Sequence, residues 1–374
     1  MDPSPLKYND AGVLTHENFI SDWTKFVEVY GNAKAAEFLE KSNATDLPDV
    51  VSIDLASDCN LKCPMCRYHG SDDARAHYAG RHAEIDDVVS FFEKAGGVET
   101  IAFGVMSEPF MRKDIWDCLE KLQPLCKSFE FSTNALPLTK TSIQKLARFN
   151  VKIIHVSCDA GDAEGYAKWR AGGKFSQFQE KLKYLADEFG DRVVFHAALY
   201  EQNQESLLKA PAFLKEIGLG ELEMVRLFET TVSKMNGLKR LEGPGLISYL
   251  VKMLETCDRE GIKLTYGLHT LSPEDAEAAY RATGGRLGCQ SYHEAMSIHP
   301  CSMPWDYLGF QFGGNVKFCC GGVDGFPTKE SPFKMNPLAL VNSPVVRMVR
   351  AMTLAGFTPT GCSLNCGKKY RPTI

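Results

Sequence analysis

What this 374-residue chain lacks narrows its function before any motif is considered. No apolar run approaches the roughly 20 residues needed to span a bilayer. Met1-Asp2-Pro3-Ser4-Pro5 is not the charged start and apolar core of a secretory signal. A membrane is therefore not an expected partner, a cytoplasmic location is expected, and Asn43-Ala44-Thr45 carries no weight as a glycosylation site. Basic charge is not in excess: 42 Lys and Arg against 47 Asp and Glu leave a net charge of -5, so nucleic acid is not an expected partner either. Thirteen cysteines without a secretory signal do not read as a disulfide framework, and metal binding is the expected use.

What is present suits a large core: 44% hydrophobic residues, enough for one large domain and a smaller one. Residues 15–40 read as helix, with Phe19, Ile20, Trp23, Phe26 and Val27 on one face, and residues 1–48 as a helical cap. Short apolar runs then alternate with amphipathic segments. Strands are expected at 50–56, 100–105, 129–133, 152–157, 193–199 and 222–228, with helices near 84–95, 112–123, 139–149, 175–189, 204–217 and 245–260. Six strand-then-helix units imply an α/β fold with a parallel sheet and helices outside. If both faces of such strands are buried, functional residues gather at the strand C-terminal ends. The divisions expected are 1–48, 49–283 and 284–374.

The first strand runs into Cys59-Asn60-Leu61-Lys62-Cys63-Pro64-Met65-Cys66. A closed zinc site wants four protein ligands, whereas three cysteines on one loop hold three corners of a cubane iron-sulfur cluster and leave one iron open. A zinc site completed by a distant His or Cys, or three unrelated core thiols, are the competing readings. The spacing C-x3-C-x2-C resembles the signature of the radical S-adenosylmethionine (radical SAM) enzymes. That resemblance implies a partial (β/α)6 TIM-like barrel over 49–283, a 4Fe-4S cluster on Cys59, Cys63 and Cys66, and S-adenosylmethionine bound at the open iron.

It also implies roles along successive strand ends. Glu108, in Phe103-Gly104-Val105-Met106-Ser107-Glu108-Pro109, would hold the methionyl amino group, although Met106-Ser107 stands where a double glycine is commoner. Asn134 and Ser157 would touch ribose or methionine, and Arg170 the cofactor carboxylate. Met65 would meet the adenine edge through its backbone, with Tyr68 as a stacking surface.

Near the C-terminus, Cys301, Cys319, Cys362 and Cys366 form a candidate four-thiolate site, with an apolar hairpin around Phe310–Phe318 between them. On residue types alone it fits zinc as well as iron and sulfur. Its Cys-x-x-Pro-Trp run, hairpin and terminal cysteine pair resemble the SPASM/Twitch auxiliary domain, which implies an auxiliary 4Fe-4S cluster in 284–374. Cys320 could replace Cys319, and Cys289 could contribute. Cys118, Cys126 and Cys257 read as buried small hydrophobes, and Cys158 as a thiol that could point into the barrel mouth.

The resemblance implies cleavage of S-adenosylmethionine to a 5'-deoxyadenosyl radical, with an electron donor such as flavodoxin or ferredoxin. The favoured substrate is a small polyol, sugar or aminocyclitol, ending in dehydrogenation or epimerisation. A spare thiol at Cys289 or Cys320 could return a hydrogen atom. Arg226, Glu229, Tyr266 and His269 are candidate substrate contacts. The alternative is modification of a peptide or protein side chain, against which residues 1–48 look too short and too helical for a leader-binding module. A non-catalytic metal-binding protein is the third class.

Overall fold

A computed structural model describes residues 16–267, 271–287, 303–311, 315–318, 326–327 and 331–357. Six parallel strands follow one another across the sheet: β1 (Val50–Ile53), β2 (Val98–Phe103), β3 (Cys126–Thr133), β4 (Val151–Ser157), β5 (Val193–Leu199) and β6 (Glu221–Arg226). Helices return the chain between them, among them Ile85–Ala95, Ile115–Leu122, Lys140–Leu146, Phe175–Phe189 and Ala210–Ile217. β7 (Lys263–Tyr266) continues the series beside β6, after the helix Gly243–Glu260. β8 (Tyr307–Gln311) lies parallel to β1 at the other side, followed by β9 (Asn315–Lys317) and β10 (Phe326–Pro327), both antiparallel. The order β10-β9-β8-β1-β2-β3-β4-β5-β6-β7 does not close. The fold is thus the expected parallel-sheet α/β partial barrel, extended by β7, a strand too short to stand out in the sequence, and by β8.

Alternation within each strand shapes the sheet. Val51, Ile53, Ile101, Phe103, Phe129, Phe131, Ile154, Val156, Phe195, Leu222 and Met224 are buried in one cluster with helix residues such as Val88, Phe91, Leu119, Leu146, Phe178 and Leu214. Each of those aromatic and aliphatic side chains contributes on the order of 1.5–3 kcal/mol when fully buried. The intervening residues Ala102, Glu130, Ser132, His155, Ser157, His196 and Glu223 are half-buried instead. The expectation that both faces are buried is therefore corrected. The helices cover the outer face, and the inner face is a polar trough that keeps partial access to water.

The helix expected over 15–40 is two helices, His16–Tyr30 and Asn32–Lys41, broken at Gly31, whose φ of 78° is open to glycine at little cost. Both pack on the helix Pro344–Leu354, with Phe26, Ala35 and Met352 at the contact. Arg350 anchors that helix. Fully buried, it donates to the carbonyls of Pro304 (2.9 Å) and Val341 (2.8 Å) and lies 5.4 Å from the Trp305 ring. The hairpin expected near 310–318 is present, with Phe310 opposite Val316. Cys289, Cys301, Cys319, Cys320, Cys362, Cys366 and His269 lie outside the described residues. Among the described residues no helix is long and apolar enough to cross a membrane.

Just past β2 the backbone must turn under the end of β3. Gly104 does this at φ 86°, and a Cβ there would stand 2.0 Å from the Ser132 carbonyl oxygen. Gly104→Ala is expected to destabilise the protein by roughly 2 kcal/mol or more. Gly220→Ala, with nothing within 4 Å of the added methyl, is expected to shift stability by well under half of that. Urea unfolding of the two variants side by side checks the pair.

Candidate functional site

Five strand ends surround a cavity of about 190 Å³. Cys59, Cys63, Met65, Cys66 and Tyr68 line it from the loop after β1, Glu108 from the turn after β2, and Asn134 from the end of β3. Ser157 and Asp159 line it from β4, His196 from β5, and Arg170 from the C-terminal end of the helix Ala163–Trp169. Every cofactor-binding residue expected from the sequence, and all three N-terminal cysteines, therefore meet in one place. A larger cavity of about 460 Å³ opens beside it, lined by Asp58, His82, Glu84 and Arg112. It holds neither a thiol nor a strand end from β3 to β5, so the donors and not the volume locate the site.

The cysteine loop is held by its own backbone and by a cation. Cys66 N–H donates to the Cys63 carbonyl and Gly70 N–H to the Cys66 carbonyl, each at 2.9 Å. Gly70 is needed there, because a Cβ would come within 2.7 Å of both carbonyl oxygens. Arg75 donates to the carbonyls of Cys59 and Leu61, both at 2.9 Å, and Lys62 N–H reaches the Ala171 carbonyl at 2.8 Å. Asn134 Nδ2 donates to Asn60 Oδ1 at 2.9 Å, tying the loop to β3.

Burial pushes the Cys59 thiol up to about 12 and the Cys63 thiol up to about 11, and raises Cys66 as well. Thiols held neutral in this way are poorly explained as inert core, because the cavity they line also presents the charged or polar groups of Glu108, Asp159 and Arg170. A metal that replaces their protons resolves this. Thiolates on a single zinc stand about 3.8 Å apart. Among the described residues, the one trio of donors whose ligand atoms all lie within 4.8 Å of one another is His155, His196 and Glu223, so the three thiols are spread more widely than that. Three thiolates on one loop fit a cubane cluster with one open iron better than a closed four-ligand zinc site.

Glu108 is the joint between strand ends. Its carboxylate accepts from Thr133 Oγ1 at 2.7 Å, Asn134 N–H at 2.7 Å and Phe110 N–H at 3.3 Å, and its own N–H donates to the Asp58 carbonyl at 2.9 Å. Burial raises its carboxyl to about 7 despite these donors. The Met106-Ser107 pair that departs from a double glycine also has a local reason. Asp54 Oδ1 accepts from Met106 N–H at 3.0 Å and Ser107 Oγ at 2.9 Å. A second buried acid, pushed up to about 6 by burial, thus pins the turn.

Arg170 is paired within the chain. Its Nη2 lies 2.8 Å from Asp159 Oδ2 and its Nη1 3.8 Å from Cys63 Sγ, while its buried Nε has no hydrogen-bond partner among the described residues. Burial works against the guanidinium charge, and Asp159 and Cys63 more than offset it, so Arg170 stays protonated. Tyr68 accepts from Gln311 at 3.3 Å and meets Tyr78 edge to face at 5.0 Å.

Other expected contacts do not reach the cavity. Arg226 lies toward Glu242 (3.6 Å), Glu229 toward Arg240 (3.8 Å), and Tyr266 is buried. Cys158 does not point into the barrel mouth: it is fully buried with its Sγ 3.2 Å from the Ala160 carbonyl, because it falls on the outward step of the strand alternation. Cys118, Cys126 and Cys257 are buried as expected. Sequence reasoning passed over Asp54, His69 and His196. The alternation of polar with apolar residues along β4 to β6 was the signal available for His196.

Residues 53–214 match the model of the Radical SAM superfamily. Over 187 residues, 49% of this chain and 45% of the relative, the sequence is 25% identical to "Mycofactocin maturase MftC" of Mycolicibacterium smegmatis. The chain thus spans less than half of that protein. Its fold is similar to Streptococcus suis SuiB bound to precursor peptide SuiA, with a TM-score of 0.63 and 16% identity, covering 91% of this chain and 80% of that one. SuiB bound to S-adenosylmethionine gives a TM-score of 0.61 at 17% identity, with the same coverage.

Cys63→Ala is expected to lower the iron of anaerobically reconstituted protein by about four atoms per chain. Loading should also weaken steeply as pH falls, since each buried thiol must release a proton. Iron and sulfide analysis across pH checks both.

Proposed function

We propose that this chain, whose residues 53–214 match the Radical SAM superfamily model, uses a 4Fe-4S cluster and S-adenosylmethionine to modify a side chain of a peptide or protein. The observation that carries the radical chemistry is the meeting of Cys59, Cys63 and Cys66 with Glu108, Asn134, Ser157 and Arg170 around one cavity. Cys59, Cys63 and Cys66 would hold the cluster, leaving one iron without a protein ligand. Held by these residues, a reduced cluster would supply one electron for cleaving S-adenosylmethionine to methionine and a 5'-deoxyadenosyl radical.

The chain's own residues do the binding and the water exclusion. Glu108, once ionised, accepts from the methionyl ammonium at the end of its hydrogen-bonded joint. Arg170 keeps a buried positive charge beside the thiols, and its free Nε is the donor left for the cofactor carboxylate. Ser157 and Asn134 offer polar atoms toward the ribose, and Met65 and Tyr68 an apolar edge for the adenine. The hydrophobic outer cluster holds the strand ends rigid, which is the positioning that such chemistry needs.

The preference for a peptide over a polyol, sugar or cyclitol revises the substrate expectation. A relative bears the name maturase, and a solved chain of this fold is bound to a precursor peptide. The open, half-solvated trough along the sheet is also suited to an extended substrate. The auxiliary cluster and the hydrogen-donor role of Cys289 or Cys320 remain parts of the proposal that rest on sequence.

Reduced protein is expected to form 5'-deoxyadenosine, and Cys59→Ala, Cys63→Ala or Cys66→Ala to reduce this to background. Measuring 5'-deoxyadenosine with a panel of short peptides against a panel of polyols tests the substrate class. Stimulation by polyols alone would overturn the peptide reading.

Glu108 gives a pH dependence with a definite sign. Its folded carboxyl is raised to about 7, so below neutrality it is protonated and cannot hold an ammonium group. Affinity for S-adenosylmethionine should rise about tenfold from pH 6 to pH 8. In the ligand-free protein the same group contributes stability below its unfolded value that is lost as pH rises through 7. Glu108→Gln should weaken binding and flatten the pH dependence, which isothermal titration calorimetry at several pH values checks.

A further inference from the structure

The inner face of the sheet carries a second donor cluster, of which His196 also lines the cofactor cavity while His155 and Glu223 do not. His155 on β4, His196 on β5 and Glu223 on β6 stand on three adjacent parallel strands, with His196 directly opposite Glu223 and His155 two residues before Ser157. His196 Nδ1 lies 3.0 Å and His155 Nδ1 3.2 Å from the same oxygen, Glu223 Oε2. The two rings are nearly perpendicular, with centroids 5.9 Å apart.

We propose that His155, His196 and Glu223 form a divalent-metal site in the trough, of the two-histidine, one-carboxylate type, taking zinc or ferrous iron. Three features carry this. Both imidazole nitrogens converge on one oxygen at 3.0 and 3.2 Å, and all three ligand atoms lie within 4.8 Å of one another, close enough for one metal to draw them together at about 2.1 Å each. Each donor comes from a rigid strand, so the set is preorganised and not drawn from a mobile loop. All three side chains are half-buried and face the trough, which leaves open positions for a ligand group from the substrate, such as a carboxylate, imidazole or thiolate.

Charge points the same way. The ion-pair partners of Glu223 among the described residues are the two imidazoles. When those rings are neutral, a dication compensates the carboxylate. His196 also lines the cavity that holds the three cysteines, so the metal would sit at its floor, within the space a substrate enters. The site is independent of the radical reading, since it uses none of the cysteines.

The test uses the full chain, anaerobically reconstituted with iron and sulfide and then titrated with zinc against a chromophoric chelator. One zinc per chain is expected at unchanged iron content, with Glu223→Gln and His155→Ala each weakening zinc binding by roughly thirtyfold or more. X-ray absorption on the zinc-loaded parent should show nitrogen and oxygen ligands at about 2.0–2.1 Å and no sulfur. Equal zinc affinity in parent and both variants, or a sulfur shell in the parent, overturns the proposal. The absorption measurement needs no variant, so it stands even if a substitution disturbs folding. A chain that takes zinc here yet never forms 5'-deoxyadenosine sinks the proposed function and leaves this site intact.

Discussion

Three thiols gathered in one short loop hold the account together, because their surroundings disfavour the thiolate unless a metal replaces its proton. Cys59, Cys63 and Cys66 are raised well above the ordinary thiol range by burial. Their surroundings are organised around the backbone of the loop: Arg75 caps two carbonyls, Lys62 N–H reaches Ala171, and Gly70 leaves room for two more carbonyl oxygens. The fold thus fixes the loop through main-chain contacts and leaves the sulfur atoms available.

The same economy runs around the cavity. Glu108 links the turn after β2 to the end of β3 through its carboxylate and to the residue before Cys59 through its backbone N–H, so one residue sets the relation of three strand ends. Asp54 does the equivalent for Met106 and Ser107. Both acids are held where burial favours their neutral forms, which makes the site responsive to a cationic ligand. The outer aromatic cluster, with Phe103 stacked on Phe131 at 5.3 Å, supplies the stiffness against which these polar joints work.

Much of this was legible in the sequence, for identifiable reasons. Six strands and their helices announced themselves because each outward step is strongly apolar and each helix is amphipathic. Cys59, Cys63, Cys66, Glu108, Asn134, Ser157 and Arg170 could be placed together because they follow the order of the radical SAM pattern they resemble, and parallel strands bring their C-terminal ends to one side. The trough was not legible under the assumption of two buried faces, and His155, His196 and Glu223 were missed with it. Arg226, Glu229 and Tyr266 were misplaced because which face a strand-end residue takes depends on one-residue register. Arg170's partner Asp159 lies eleven positions away in the chain and is brought close only by the helix Ala163–Trp169 folding back.

The central claim is that one iron of the cluster held by Cys59, Cys63 and Cys66 lacks a protein ligand and binds S-adenosylmethionine directly. Its most direct measurement is hyperfine spectroscopy of the reduced cluster after adding S-adenosylmethionine labelled with ¹⁵N at the amino group and ¹⁷O at the carboxylate. Coupling of both labels to the cluster spin is the result this account requires. A spectrum indifferent to the labelled compound, in protein with its full iron content, would contradict it.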